Sequence, residues 1–179
     1  MKRNLMLAAL TITGLLFLSP AHAEAQPQER KPIKIKLAPL PFLSGCLPRA
    51  SATVTIFPKA EGQGVDTLDL KAQGLPPNTS FAAFLTELPT LPIGAVQHIA
   101  DFTTNEAGNG SVRVNTMVTE AFALDAVTSI RKDLNWIVIW FADPAGDDVC
   151  FGPGGGPVSP FDGDGEAGIV ALVSQSAIP

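Results

Sequence analysis

The chain has no tyrosine, two cysteines and two histidines in 179 residues. Each scarcity excludes something. Without tyrosine there is no phenolic nucleophile and no tyrosine-rich binding surface. Two cysteines are too few for a small disulfide-dense scaffold, and the chain is long enough to build a real core. His22 falls in a leader expected to be removed, which leaves His98 as the only histidine beyond it. That excludes zinc, copper and iron sites that need several histidines. A serine triad would have to use His98, and the sequence holds no Gly-x-Ser-x-Gly elbow. Charged residues make up only 16% of the chain, with a net charge of −5. Arg30, Lys31, Lys34 and Lys36 crowd near the start, and acids dominate from Asp101 onward. An acidic body lacks the basic footprint of nucleic-acid binding, so no nucleic-acid partner is expected.

What is present begins with an export pattern. Met1-Lys2-Arg3 is basic, Leu5 to Leu18 is apolar apart from Thr11, Thr13 and Gly14, and Ala21-His22-Ala23 is small-x-small. Residues 1–23 therefore read as a signal peptide cut after Ala23, with Ala25 as the second choice. The apolar stretch is shorter than the ~20 residues of a membrane span. No later run is long enough either, so no span is expected in the secreted or periplasmic mature chain. An oxidising compartment favours a disulfide between Cys46 and Cys150 over two separate buried thiols.

Residues 24–45 form a proline-punctuated extended tail with Pro27, Pro32, Pro39 and Pro41. Within it, Ile33 to Leu37 alternates apolar residues with lysines. This is either an edge strand or a solvated linker. From residue 46 to 179 the pattern is that of one β domain. Ala52–Phe57, Asp66–Ala72, Ser80–Leu88, Val96–Thr103, Ser111–Val118 and Gly168–Ser174 carry strand-like patterns between Gly, Pro and Asn turns. Leu134 to Ala142 holds both tryptophans and reads as a central strand buried on both faces. Glu120 to Asp133 has Phe122, Ala126 and Ile130 at helical spacing, and we read it as a long connection with one or two helical turns. The expected fold is an all-β, antiparallel Greek-key, immunoglobulin-like β-sandwich of about 7–8 strands. A closed barrel is the second choice.

Several of these stretches resemble a group of uncharacterised secreted bacterial β-sandwich proteins. They are Gly74-Leu75-Pro76-Pro77-Asn78-Thr79, the hairpin from Asp101-Phe102-Thr103-Thr104-Asn105 to Gly110, the Leu134–Ala142 strand, and Phe161-Asp162-Gly163-Asp164-Gly165. The Gly-Leu-Pro-Pro turn is more distantly similar to copper/zinc superoxide dismutase-like and chordin-type sandwiches. That likeness implies a fold alone. The dismutase metal site needs histidines after this turn, where this chain reads Phe81-Ala82-Ala83-Phe84-Leu85.

The sequence offers three candidate sites. Gly152-Pro153-Gly154-Gly155-Gly156-Pro157 lacks the Gly-Lys-Ser/Thr ending of a phosphate loop and reads as a flexible connection. Trp136 and Trp140 point to one face of their strand. They are either core or a stacking platform for a carbohydrate or small ligand. Asp162, Asp164 and Glu166 alternate with glycines, and Asp147 and Asp148 precede them on the same connection. They either make turns or hold calcium, the one cofactor the sequence suggests. No catalytic set emerges. The expected function is a non-catalytic secreted domain with an interaction or structural role, its partner an extracellular protein or polysaccharide.

Overall fold

The computed structural model describes residues 30–59, 64–161 and 165–179. The leader, Asp162 and Asp164 lie outside these residues, as does the side chain of Glu166. The strands are β1 (Ile33–Pro39), β2 (Ser51–Phe57), β3 (Asp66–Gln73), β4 (Ser80–Thr86), β5 (Val96–Thr103), β6 (Gly110–Thr116), β7 (Phe122–Leu124), β8 (Arg131–Asp133), β9 (Trp136–Phe141), β10 (Ser159–Phe161), β11 (Gly165–Ala167) and β12 (Val170–Ser174). Among the described residues helix is confined to single turns, including Pro144–Asp147 and α1 (Asp148–Phe151).

Eight strands form one antiparallel sheet in the order β5-β4-β9-β12-β1-β2-β3-β6. β3 pairs with β6 although the β4–β5 hairpin separates them in sequence, a non-sequential pairing of the Greek-key kind. The sheet rolls until its end strands approach, and Gln97 Nε2 on β5 donates to Thr116 Oγ1 on β6 at 3.4 Å. The result is a sandwich-like, nearly closed all-β fold. Cys46 and Cys150 are joined in a disulfide.

β9 explains why its sequence is apolar throughout. On the inner face Ile137, Ile139 and Phe141 oppose Leu85, Ala83 and Phe81 of β4. The Phe81 and Phe141 ring centroids lie 4.9 Å apart. On the outer face Val138 and Trp140 oppose Phe84 and Ala82. That face is buried too, in a second cluster with Leu40, Ile93, Ala167, Val170 and Val173. A strand buried on both sides loses the polar alternation of a one-sided strand.

Two expectations are corrected here. Ile33–Pro39 is neither an edge strand nor a linker. It lies inside the sheet, paired to β12 on one side and β2 on the other. Ile35 and Leu37 enter the core while Lys34 and Lys36 stay exposed on the outer face. The sheet thus begins at Ile33, ahead of the boundary expected at Cys46. The second correction is the Glu120–Asp133 segment, which holds the β7–β8 hairpin and no helix. Asp125 Oδ1 accepts the Val127 and Thr128 amides at 2.9 and 2.7 Å. Ser129 adopts φ 56. This side-chain-capped turn offers the backbone an alternative to the helix that Phe122, Ala126 and Ile130 suggest.

Asp66 fastens the start of β3 to the exit of β6. Its Oδ2 accepts from the Val118 amide at 3.1 Å, the Thr119 amide at 2.8 Å and Thr119 Oγ1 at 2.9 Å, and its Oδ1 accepts from the Lys59 amide at 2.9 Å. Burial pushes the carboxyl up, but these donors together outweigh it and hold Asp66 below the ordinary aspartate value. Hydrogen bonds to a charged group contribute about 1.5–3 kcal/mol each and do not add fully, so Asp66→Ala should cost about 3–5 kcal/mol at neutral pH. Because the folded pKa is lowered, this stabilisation exists above the unfolded pKa and is lost as pH falls through the folded one. The gap between wild type and Asp66→Ala in urea unfolding should therefore shrink in acid. A gap of equal size at pH 7 and pH 2 would refute the ionic origin.

Candidate functional site

Two places on the barrel gather side chains that folding alone does not use. The first is built from the Glu87–Ala95 connection between β4 and β5 and from the β7–β8 hairpin. The connection is closed by backbone bonds from Glu87 N to Ala95 O and from Leu88 N to Ile93 O. Lys132 on β8 donates to Glu87 Oε1 at 2.9 Å, while Glu87 Oε2 accepts the Ala95 amide at 3.2 Å. The Lys132 hydrogen bond, helped by the Ala95 amide, holds the Glu87 carboxyl below its ordinary value. This pair fixes the hairpin beside the connection.

Six large apolar side chains are exposed on them, among exposed Thr90, Thr128, Ser129, Arg131 and Asp133. Leu88 and Leu91 project from the connection, and Phe122, Leu124, Val127 and Ile130 from the hairpin. Val127 is 93% exposed at the tip of the capped turn. Arg131 sits over the Phe122 ring at 4.3 Å and pairs with Asp133 at 2.6 Å, which sets a balanced charge pair beside the apolar residues. Scattered exposed hydrophobics are ordinary, but several on two adjoining connections suit a contact surface. The helical spacing read in Glu120–Asp133 hid this group, because it drew attention away from the β7–β8 turn.

The second place is the connection after β9. Asp143 Oδ1 accepts the Ala145 amide at 2.8 Å and starts the helical turn. Asp148 Oδ1 accepts the Gly154 amide at 2.8 Å. Between them Asp147 is wholly buried, and neither carboxylate oxygen has a hydrogen-bond partner. Among the described residues no three His, Cys, Asp or Glu side chains come together as a metal-binding group. Of the calcium candidates, Asp147 turns inward and Asp148 holds a glycine amide, while Asp162, Asp164 and the Glu166 side chain lie outside the described residues.

The remaining candidates are placed as follows. Trp140 is 4% exposed, and its indole N–H donates to the Gly168 carbonyl. Trp136 is half-buried. The two rings therefore form no open stacking platform, because the outer face of β9 is covered. His98 is exposed, lies 3.0 Å from Asp101 Oδ1, and meets the edge of Phe84. The Cys46–Cys150 bond sits between the chain entering β2 and α1, where it pins the connection after β9 to the start of the barrel. No protein-family model and no curated protein matches this chain.

Proposed function

We propose that this chain is a non-catalytic, extracytoplasmic domain that binds another protein through the Glu87–Ala95 connection and the β7–β8 hairpin. The observation that carries the proposal is the near-complete exposure of Val127 on a turn already stiffened by Asp125. A rigid apolar tip loses little conformational entropy on contact, so more of its burial appears as affinity. The chemistry favours a protein over the other partners considered. The large exposed apolar groups are mainly aliphatic and neither tryptophan is among them, which suits an apolar protein surface better than a sugar ring. Asp125 and Asp133 are matched by Arg131 and Lys132, so the hairpin offers no excess of positive charge to an anionic lipid surface. Export rests on the Met1–Ala23 pattern, with which a disulfide agrees.

A photo-crosslinking amino acid placed at Val127 in cells making the protein tests this. A discrete adduct is expected at Val127, absent from Lys36 on the outer face of β1, and lost when Leu124→Asp is added. An adduct of twice the chain mass would make the partner a second copy. No adduct at Val127, or equal adducts at both positions, would overturn the proposal.

A further inference from the structure

We infer that Asp147 is a proton-operated latch on the connection between β9 and β10: as a neutral acid it seats between Gly156 and Gly168, and as a carboxylate it favours the undocked connection. The seat is tight. A Cβ at Gly156 would meet Asp147 Oδ1 at 2.0 Å, and one at Gly168 would lie 3.0 Å from Oδ2. Two glycines thus leave room for the carboxyl and for little else. The residue has no exposed surface, and both oxygens lack a hydrogen-bond partner. An unpaired carboxylate in such a place carries a desolvation cost that the neutral acid largely avoids.

Among the described residues the surroundings supply no compensating charge. β9 presents Phe141, the connection presents Gly156, and the segment before β12 presents Gly168 and Ile169, none of them ionisable. The charged groups beside it among the described residues are Asp143 and Asp148, both acidic. Burial raises the Asp147 pKa above its ordinary value, the Ile169 backbone N–H, near the carboxyl but outside hydrogen-bond geometry, opposes this in part, and Asp148 adds a like-charge push. Cys150 remains tied to Cys46, so release is confined to the chain beyond α1 rather than to the whole connection.

The sign follows from linkage. The docked form has the higher pKa, so docking is fully favoured below the undocked pKa and weakens as pH rises to the docked value. Between those two values the opening constant should rise by up to tenfold per pH unit, then level off. Hydrogen exchange of residues 152–158 in the disulfide-bonded chain, corrected for intrinsic rates, reads this directly. The wild type should show the slope, Asp148→Asn should keep it, and Asp147→Asn should be flat. A flat wild type, or an Asp147→Asn variant that keeps the slope, would overturn the latch. If Asp147→Asn does not fold, the carbon-13 titration of Asp147 in the wild type decides. A midpoint above the ordinary aspartate range supports the latch, and one within or below it ends it.

Discussion

Deleting the chain through Leu40 should abolish cooperative unfolding. The cut removes β1 from between β12 and β2, and strips backbone partners from both neighbours. It also removes Ile35, Leu37 and Leu40, all buried. Burying an aliphatic side chain contributes about 1.5–3 kcal/mol, so these three account for roughly 5–9 kcal/mol before any ladder bond is counted. A whole domain is stable by only about 5–15 kcal/mol. The loss is therefore of the size of the total. A shorter cut through Lys31 removes little that matters. Its main described contact is the Arg30–Glu120 pair at 3.8 Å, and such exposed pairs contribute at most about 1 kcal/mol. Thermal unfolding by circular dichroism should be sigmoidal for the short cut and featureless for the long one. A sharp transition in the long deletion would show that the sheet closes without β1.

Replacing both cysteines by serine should produce the next largest effect. The bond spans a sequence separation of 104. Closing a loop of that size removes unfolded-state entropy equivalent to about 4.7 kcal/mol in the chain-entropy model. For a domain of this length each kcal/mol moves the midpoint by about 2–4 °C, so Tm should fall by roughly 10–20 °C. Cys46 and Cys150 are both only partly buried, so the new hydroxyls need not be sealed in the core. Differential scanning calorimetry of the Cys46→Ser/Cys150→Ser protein checks this. A midpoint within a degree or two of wild type would mean that the unfolded chain is already held compact across that span.

Most of the barrel was legible in the sequence because period-two alternation needs only one solvated face. Val96–Thr103 matches the observed strand at both ends, and Asp66–Ala72 and Ala52–Phe57 differ by a residue. Leu134–Ala142 was legible for the opposite reason, since a strand covered on both faces has no alternation to show. What escaped depended on distant partners. Ile33–Pro39 has lysines on one side whether it lies at an edge or within the sheet. Only its pairing with Val173 and Ser174 decides between the two. Asp66 looked like the polar start of a strand, because its donors Val118 and Thr119 lie more than fifty residues away. Asp147 was grouped with its acidic neighbours, since nothing local tells a buried acid from a solvated one. The β7–β8 turn was legible in principle, because Asp125 followed by Thr128 and Ser129 is turn chemistry. Helical spacing of three apolar residues obscured it.

The pairing of β1 with β12 also orders events in time. Leu37 is synthesised early, yet its register partner is Ser174, five residues from the last residue of this sequence. A growing chain therefore holds one flank of β1 unpartnered until β12 has been made. Contacts so far apart in sequence form slowly. The sheet can accordingly join β1 to β9 only once β12 is available to lie between them.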